Sequence, residues 1–406
     1  MQRLQDRHLE FRGEITVFLS LIFILLISFV GAMIEATSIS LTKSMKQADL
    51  CLAMESVFAE YDPELFRKYG IFAREGSGLF SISNRLSYYG AGNLNHEIVQ
   101  MELLSDRNGQ EVYRQAVTCM GGTVTQTKVF TENPYQEKAK SIKEQFEKLL
   151  KKEEAQGNQE LQNMSAPFLL ASILPKEEII SNKSINLSVL PSHRELNAGM
   201  GESSNAVETL SGKWLFASYL TKHFQDYTKS NHKNPLSYET EYLLAGKASD
   251  AKNLEWVVKR LLSIRVAVNY GYLLTQEEKL AEAEAWAIGI CTILMAPEAK
   301  ELVKQVMLFY WAYGESKEDL QHLLQGEKVP LFNKEGNEEQ GVSYEDYLKA
   351  LLAAEKIEIL CMRAMDLLEL NLGIQVDNCV TALELNSVGY ARGKYRYPCK
   401  ARFAYE

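Results

Sequence analysis

Proline is scarce in this 406-residue chain, nine in all, and none stands before Pro63. No residue ahead of it is therefore barred from a continuous helix by a locked φ or a missing N–H. Cysteine is scarce too. The six (Cys51, Cys119, Cys291, Cys361, Cys379, Cys399) contain no C-x-x-C pair, which removes the zinc-knuckle and thioredoxin-like patterns, and they are too few for a disulfide scaffold. The six histidines (His8, His96, His193, His223, His232, His322) form no HxxxH or HExxH, so zinc hydrolysis has no visible ligand set. No GxSxG elbow, GxxxxGK[ST] loop or GxGxxG turn is present. Glu318 and His322 share a helix face but read as a surface contact. Paired carboxylates such as Glu239 and Glu241 leave a glycosidase formally open, although such pairs are common by chance. The expectation is a protein that is not an enzyme, with no cofactor, no metal and no catalytic residue.

Charge narrows the partners. The net charge is −9; residues 1–36 hold three arginines against four acids, so the remainder carries −8. An acidic exterior read as lacking a basic stripe argues against nucleic acid or anionic lipid as partner.

What the chain does have is a run of twenty uncharged residues, Ile15 to Ile34, ITVFLSLIFILLISFVGAMI. As a helix it spans about 30 Å, the thickness of a bilayer's hydrocarbon core. Ile15, Phe18, Leu21, Phe23, Leu25, Phe29 and Ile34 are its anchoring residues, each worth about −0.3 to −0.6 kcal/mol on an insertion scale. A cleaved signal peptide has an apolar stretch of roughly 7–15 residues followed by a small-x-small site. This run is longer and leads into GAMIEATSISLTKSM, which still reads as helix, so a retained signal-anchor is expected. Residues 1–14 form a short tail kept in the cytoplasm, and the large remainder is exported.

Beyond the membrane the helix is expected to continue to about residue 60, packing on the head through Leu41, Met45, Ala48, Leu52 and Val57 or Phe58. Asp62-Pro63-Glu64 restarts a short helix that Gly70 ends. EIVQMELL and TVTQTKVF (123–130) read as strands around a helix. Residues 134–158 read as a charged helix, and 159–204 as an irregular linker in which INLSVLP forms one strand. Residues 205–371 read as a helical bundle. Its seam is Leu254, Val257, Leu261, Ile264 and Val268. A capping box at Thr275 and Glu278 starts a helix whose apolar WAIGICTILM is expected at the bundle centre. Pro297 opens the next helix, and Ser343 with Asp346 starts a last long helix ending near Leu370. Residues 372–406 read as a β-hairpin. From Tyr395 apolar and charged residues alternate strictly, and Pro398, which cannot donate to a ladder, makes that strand an edge or gives it a bulge. A turn centred on Gly389 places Cys379 opposite Cys399. A disulfide there is open in an oxidising compartment, but directly opposed strand positions rarely suit its geometry.

Several blocks carry a resemblance. GEITVFLSLIFILLISFVGAMIEATSISLTKSMKQADLCLAMESVFAEYDPELFRKYGIFA, SYETEYLLAGKASDAKNLEWVVKRLLSIRVAVNYGYL, WAYGESKEDLQHLLQGEKVPL and YEDYLKALL together resemble the domain-of-unknown-function family 5702. These are single-span membrane proteins of Gram-positive bacteria, often encoded beside tight-adherence (Tad, or Flp) pilus genes. The resemblance implies an exported, pseudopilin-like accessory of a pilus or secretion apparatus, with other proteins of that apparatus as partners. A prepilin-type cut after Gly13 would leave Glu14 first, yet the fifth mature position, where pilins carry glutamate, is Phe18. The expected architecture is α+β: a transmembrane helix (15–34) continuing into a long pilin-like helix, an α/β part of the head (35–158), an antiparallel sheet that includes the C-terminal hairpin, and a large helical insertion. The alternatives are an independent cell-surface binding or sensor protein and, behind it, a membrane-tethered hydrolase.

Overall fold

The computed structural model describes residues 5–126, 173–175, 180–201, 209–295, 297–330, 341–391 and 394–405. The expected charged helix 134–158, residues 159–172, 176–179 and 202–204 of the expected linker, and the end of TVTQTKVF lie outside these residues.

Helix α1 (Gln5–Phe58) is unbroken for 54 residues, about 80 Å. Its hydroxyls donate to carbonyls of the preceding turn, as Thr37 Oγ1 does to Met33 O and Thr42 Oγ1 to Ser38 O, so they interrupt nothing. Helix α2 (Pro63–Tyr69) starts where expected. Asp62 Oδ1 accepts from the Glu64 and Leu65 N–H groups, and Gly70 at φ +65° closes it.

The sheet is antiparallel. Strand β3 (Cys379–Ala391) is central. Strand β2 (Asn95–Leu103) lines one side; β4 (Tyr395–Ala404) and the short β1 (Arg74–Glu75) share the other. The edge placement of β4 and its inward Tyr397, Cys399, Ala401 and Tyr405 agree with the alternation. The hairpin register does not. Ala391 pairs with Tyr395, so the turn lies beyond Gly389, which sits inside the ladder opposite Tyr397. Glycine is needed there because a Cβ would come within 2.6 Å of the Tyr397 ring. Cys399 consequently faces Ser387, and Cys379 pairs with Glu75; both are free, buried thiols.

Against this sheet lies the second half of α1. Leu50, Ala53, Met54, Val57 and Phe58 pack with Leu383, Leu385, Tyr397, Cys399 and Ala401, and with Ile82 and Leu86 of α3 (Leu79–Leu86). The face is not the expected one: Leu41, Met45 and Leu52 are 60, 58 and 62% exposed, and only Val57 and Phe58 of the proposed stripe are buried. Three contacts fix how β4 runs along α1. Tyr395 Oη donates to Glu35 Oε1; the Lys400 N–H donates to Gln47 Oε1 at 3.0 Å; Tyr405 Oη donates to Phe58 O. From Glu35 to Phe58 is about 35 Å of helix. From Tyr395 to Tyr405 is about 34 Å of strand, so the two run side by side in the same direction.

The larger core is helical. Helix α4 (Asp106–Gln126) packs with α5 (Leu210–His223) and α11 (Ile357–Leu372). Helix α4 already includes residues 123–126, which read as strand in sequence. Between these lie α6 (Glu239–Ala245), α7 (Asp250–Leu273) and α10 (Tyr344–Ala354). The α7 seam Leu254, Val257, Leu261, Ile264 and Val268 is buried as its spacing predicts. The expected last long helix is two, α10 and α11, parted by extended backbone at Glu355 and Lys356, although the Ser343–Asp346 capping box does open α10. INLSVLP is no strand: residues 187–189 make a 3₁₀ turn capped by Asn186.

Helices α8 (Glu277–Leu294) and α9 (Lys300–Leu324) form an arm with the end of α7. Its own core is small: Leu273, Ala283, Leu308 and Ala312. Thr275 makes no capping box; its hydroxyl donates to Tyr272 O. WAIGICTILM is not central either. Ala287 and Cys291 face α9, while Trp286, Ile288, Ile293 and Met295 are 56, 49, 82 and 90% exposed. An all-apolar segment flanked on one side by a single helix must leave its other side bare.

Candidate membrane anchor and the buried carboxylates

The apolar run occupies α1 alone. Ile15, Phe18, Leu21, Phe23, Leu25, Phe29 and Ile34 are each 56 to 69% exposed, on every side of the helix. Among the described residues this is the one helix long and apolar enough to cross a membrane. A helix satisfies its own backbone hydrogen bonds, the condition that hydrocarbon imposes. Ser20 keeps its hydroxyl on Val17 O at 2.7 Å. The Gly13–Glu14 bond lies within the helical span of α1.

The carboxylates that raised the question of acid–base chemistry do not converge. Glu239 and Glu241 stand two residues apart on α6, so they point to different sides of it. Glu239 Oε2 accepts from the Gln225 N–H, and its Oε1 from the Asn234 and Asn371 amides. Glu241 Oε1 accepts from the Tyr227 N–H and from Tyr344 Oη at 2.8 Å. Burial pushes the Glu239 carboxyl up, and burial with the nearby Asp226 charge pushes Glu241 up to about 8. Both acids hold the same segment, at Gln225 and Tyr227; Glu239 ties it to Asn234 and Asn371, and Glu241 ties it to Tyr344.

Other acids do the same for residues 180–201. Asp366 accepts from the Ser192 N–H, Ser192 Oγ and Tyr242 Oη. Asp250 accepts from Ser181 Oγ and from the Ser237 and Tyr238 N–H groups. Arg194 bridges Glu369 at 2.7 Å and Asp377 at 2.9 Å, and its hydrogen bond holds Asp377 below the usual carboxylate range. These partners lie up to 183 residues apart, so no local pattern reveals them. His322 pairs with Glu327 and not with Glu318.

An α+β head joined to a candidate membrane-spanning helix is the class these features define. The chain belongs to a family of unknown function, DUF5702, whose profile matches residues 147–390. The match spans more than half the chain and takes in the bundle, the arm and nearly all of β3; it leaves α1 outside. No curated protein and no solved structure matches the chain.

Proposed function

We propose that this protein is a non-enzymatic, single-pass membrane protein whose head stands outside the cytoplasm as a structural or assembly component, a pseudopilin-like accessory, of a Tad/Flp-type pilus or secretion apparatus. The observation that carries the anchored reading is α1 itself. Twenty uncharged, mostly apolar residues are exposed on every side, with no cover among the described residues, and the same helix continues without a break into the head's core at Leu50. The pilus setting is supported by the family resemblance and by the build, a long helix half under a head and half clear of it. The non-enzymatic part is supported by the buried acids, which are engaged in holding loops. The exposed apolar side of the α8–α9 arm favours a second reading, a surface binding protein with the arm as its contact.

Membrane fractionation combined with mass spectrometry of the native N-terminus tests the anchor. An intact end at Met1 in the membrane fraction is the expected result. An end at Glu14 means pilin-type processing, and an end beyond Ala36 means a secreted protein. Co-purification with the pilus ATPase or platform proteins separates the assembly role from the free-standing binding role.

A further inference from the structure

Residues 387–405 run against the character of the chain. A protein of net charge −9 places five cations here, Arg392, Lys394, Arg396, Lys400 and Arg402, with no acid among them. This is the basic stripe that the overall balance conceals. On β4 the cations take the exposed face while Tyr397, Cys399 and Ala401 turn inward. Among the described residues Lys394, Arg396, Lys400 and Arg402 join no ion pair.

Their height is set by α1. Tyr395 bonds to Glu35, the residue directly after Ile34, where the apolar run ends. Lys394 and Arg396 flank Tyr395 and so stand at the edge of the hydrocarbon. Lys400, tied to Gln47 twelve residues further along α1, stands about 18 Å higher. Headgroups extend only about 5–7 Å beyond the hydrocarbon, and charge interactions fade over about 8–10 Å. Two cations are thus in reach of lipid headgroups and two are not. Tyr390 and Tyr395, 56 and 45% exposed, lie at the same end of the hairpin, and tyrosine with one apolar and one wet end suits that depth.

We propose that the membrane-proximal end of the β3–β4 hairpin rests in the headgroup layer of the bilayer that holds α1 and binds anionic lipid headgroups through Lys394 and Arg396. The contact would fix the tilt of the head, because the hairpin and α1 share one core. The proposal rests on the anchored reading of α1.

The test uses the full chain in vesicles of phosphatidylcholine, with and without 30% phosphatidylglycerol. Flotation comes first: a chain that fails to float has no anchor, which overturns the reading of α1 itself. In floated protein, amide exchange at residues 394–397 is measured by mass spectrometry. Anionic vesicles are expected to slow it by about fivefold per engaged cation, with the slowing lost in 0.5 M salt. The double variant Lys394→Gln/Arg396→Gln is expected to abolish the difference, and Lys400→Gln/Arg402→Gln to keep it. All four side chains are exposed, so the fold is retained. Equal exchange in both vesicles overturns the proposal. So does an equal effect of the two double variants, which would show a response to net charge and not to position.

Discussion

Helix α7 and the outer half of α1 carry the same kind of apolar spacing, and only one of them buries it. On α7 the three-four stripe from Leu254 to Val268 is the core. On α1 the stripe Leu41, Met45, Ala48, Leu52 has the same rhythm and faces outward, while Leu50, Ala53, Met54, Val57 and Phe58 go in. The difference lies on the opposite side of each helix. Away from its stripe α7 shows Lys252, Glu255, Lys259 and Arg260, which cannot be buried without partners. Opposite its outward stripe α1 carries a second apolar face, Leu50, Ala53, Met54, Val57 and Phe58, which is equally able to be buried. Periodicity names a face only when the other face is charged.

The strongest way to break the comparison is to attack the charge that α7 does bury. Arg265 sits within the seam, about as hidden as its leucines. It reaches Asp319 on α9, Asn269 and Tyr347 Oη on α10, and so joins the arm to the bundle. Arg265→Ala strands Asp319 as an uncompensated buried charge and is expected to cost about 3–5 kcal/mol. Leu50→Ala on α1 is expected to cost about 2–5 kcal/mol, the loss of a fully buried leucine. Urea unfolding of the full chain in detergent reads both. A loss under about 1 kcal/mol at Leu50 would mean that the packed face of α1 is misassigned.

How much of this was legible follows the same rule. The α1 span, the Asp62 cap, the Ser343 box, the α7 seam and the edge position of β4 depend on neighbours within a few residues, and the sequence shows them. The Gly389 turn failed because glycine has two uses, and here it makes room for the Tyr397 ring. WAIGICTILM failed because an apolar segment says that it needs cover and not how much it receives. The acids that staple residues 180–201 and the height of the β4 cations depend on contacts between distant parts of the chain, such as Tyr395 with Glu35. The expectation against anionic lipid averages charge over the whole surface, whereas the proposal for the hairpin rests on position, which the sequence alone does not give.

A smaller effect sharpens the contrast between charge that is tolerated inside and charge that is not. The Glu241 carboxyl, raised by burial from an ordinary value of 4.5 to about 8, binds its proton more tightly folded than unfolded. Its contribution is therefore fully present below about pH 4.5 and is lost as pH rises toward 8. Glu241→Gln keeps an oxygen for the Tyr227 N–H and Tyr344 Oη but removes the titration. Subtracting the variant's unfolding free energy from that of the parent at each pH should give a slope of up to about 1.4 kcal/mol per unit, falling between pH 5 and 8. A flat difference would mean that water reaches the carboxyl.

The smallest expected effect decides which stripe of α1 belongs to the head. Leu52 lies two residues beyond Leu50, is 62% exposed, and is not part of the core that α1 shares with the sheet. Leu52→Ala removes little buried area and substitutes a better helix former, so unfolding should change by no more than about 0.5 kcal/mol. Met45→Ala should behave the same way, since its side chain is 58% exposed. The measurement gains force from being made beside Leu50→Ala, where helix propensity changes identically and only burial differs. Should the two leucines lose comparable stability, the outward stripe has a partner that the described residues do not supply, and α1 is covered on both sides.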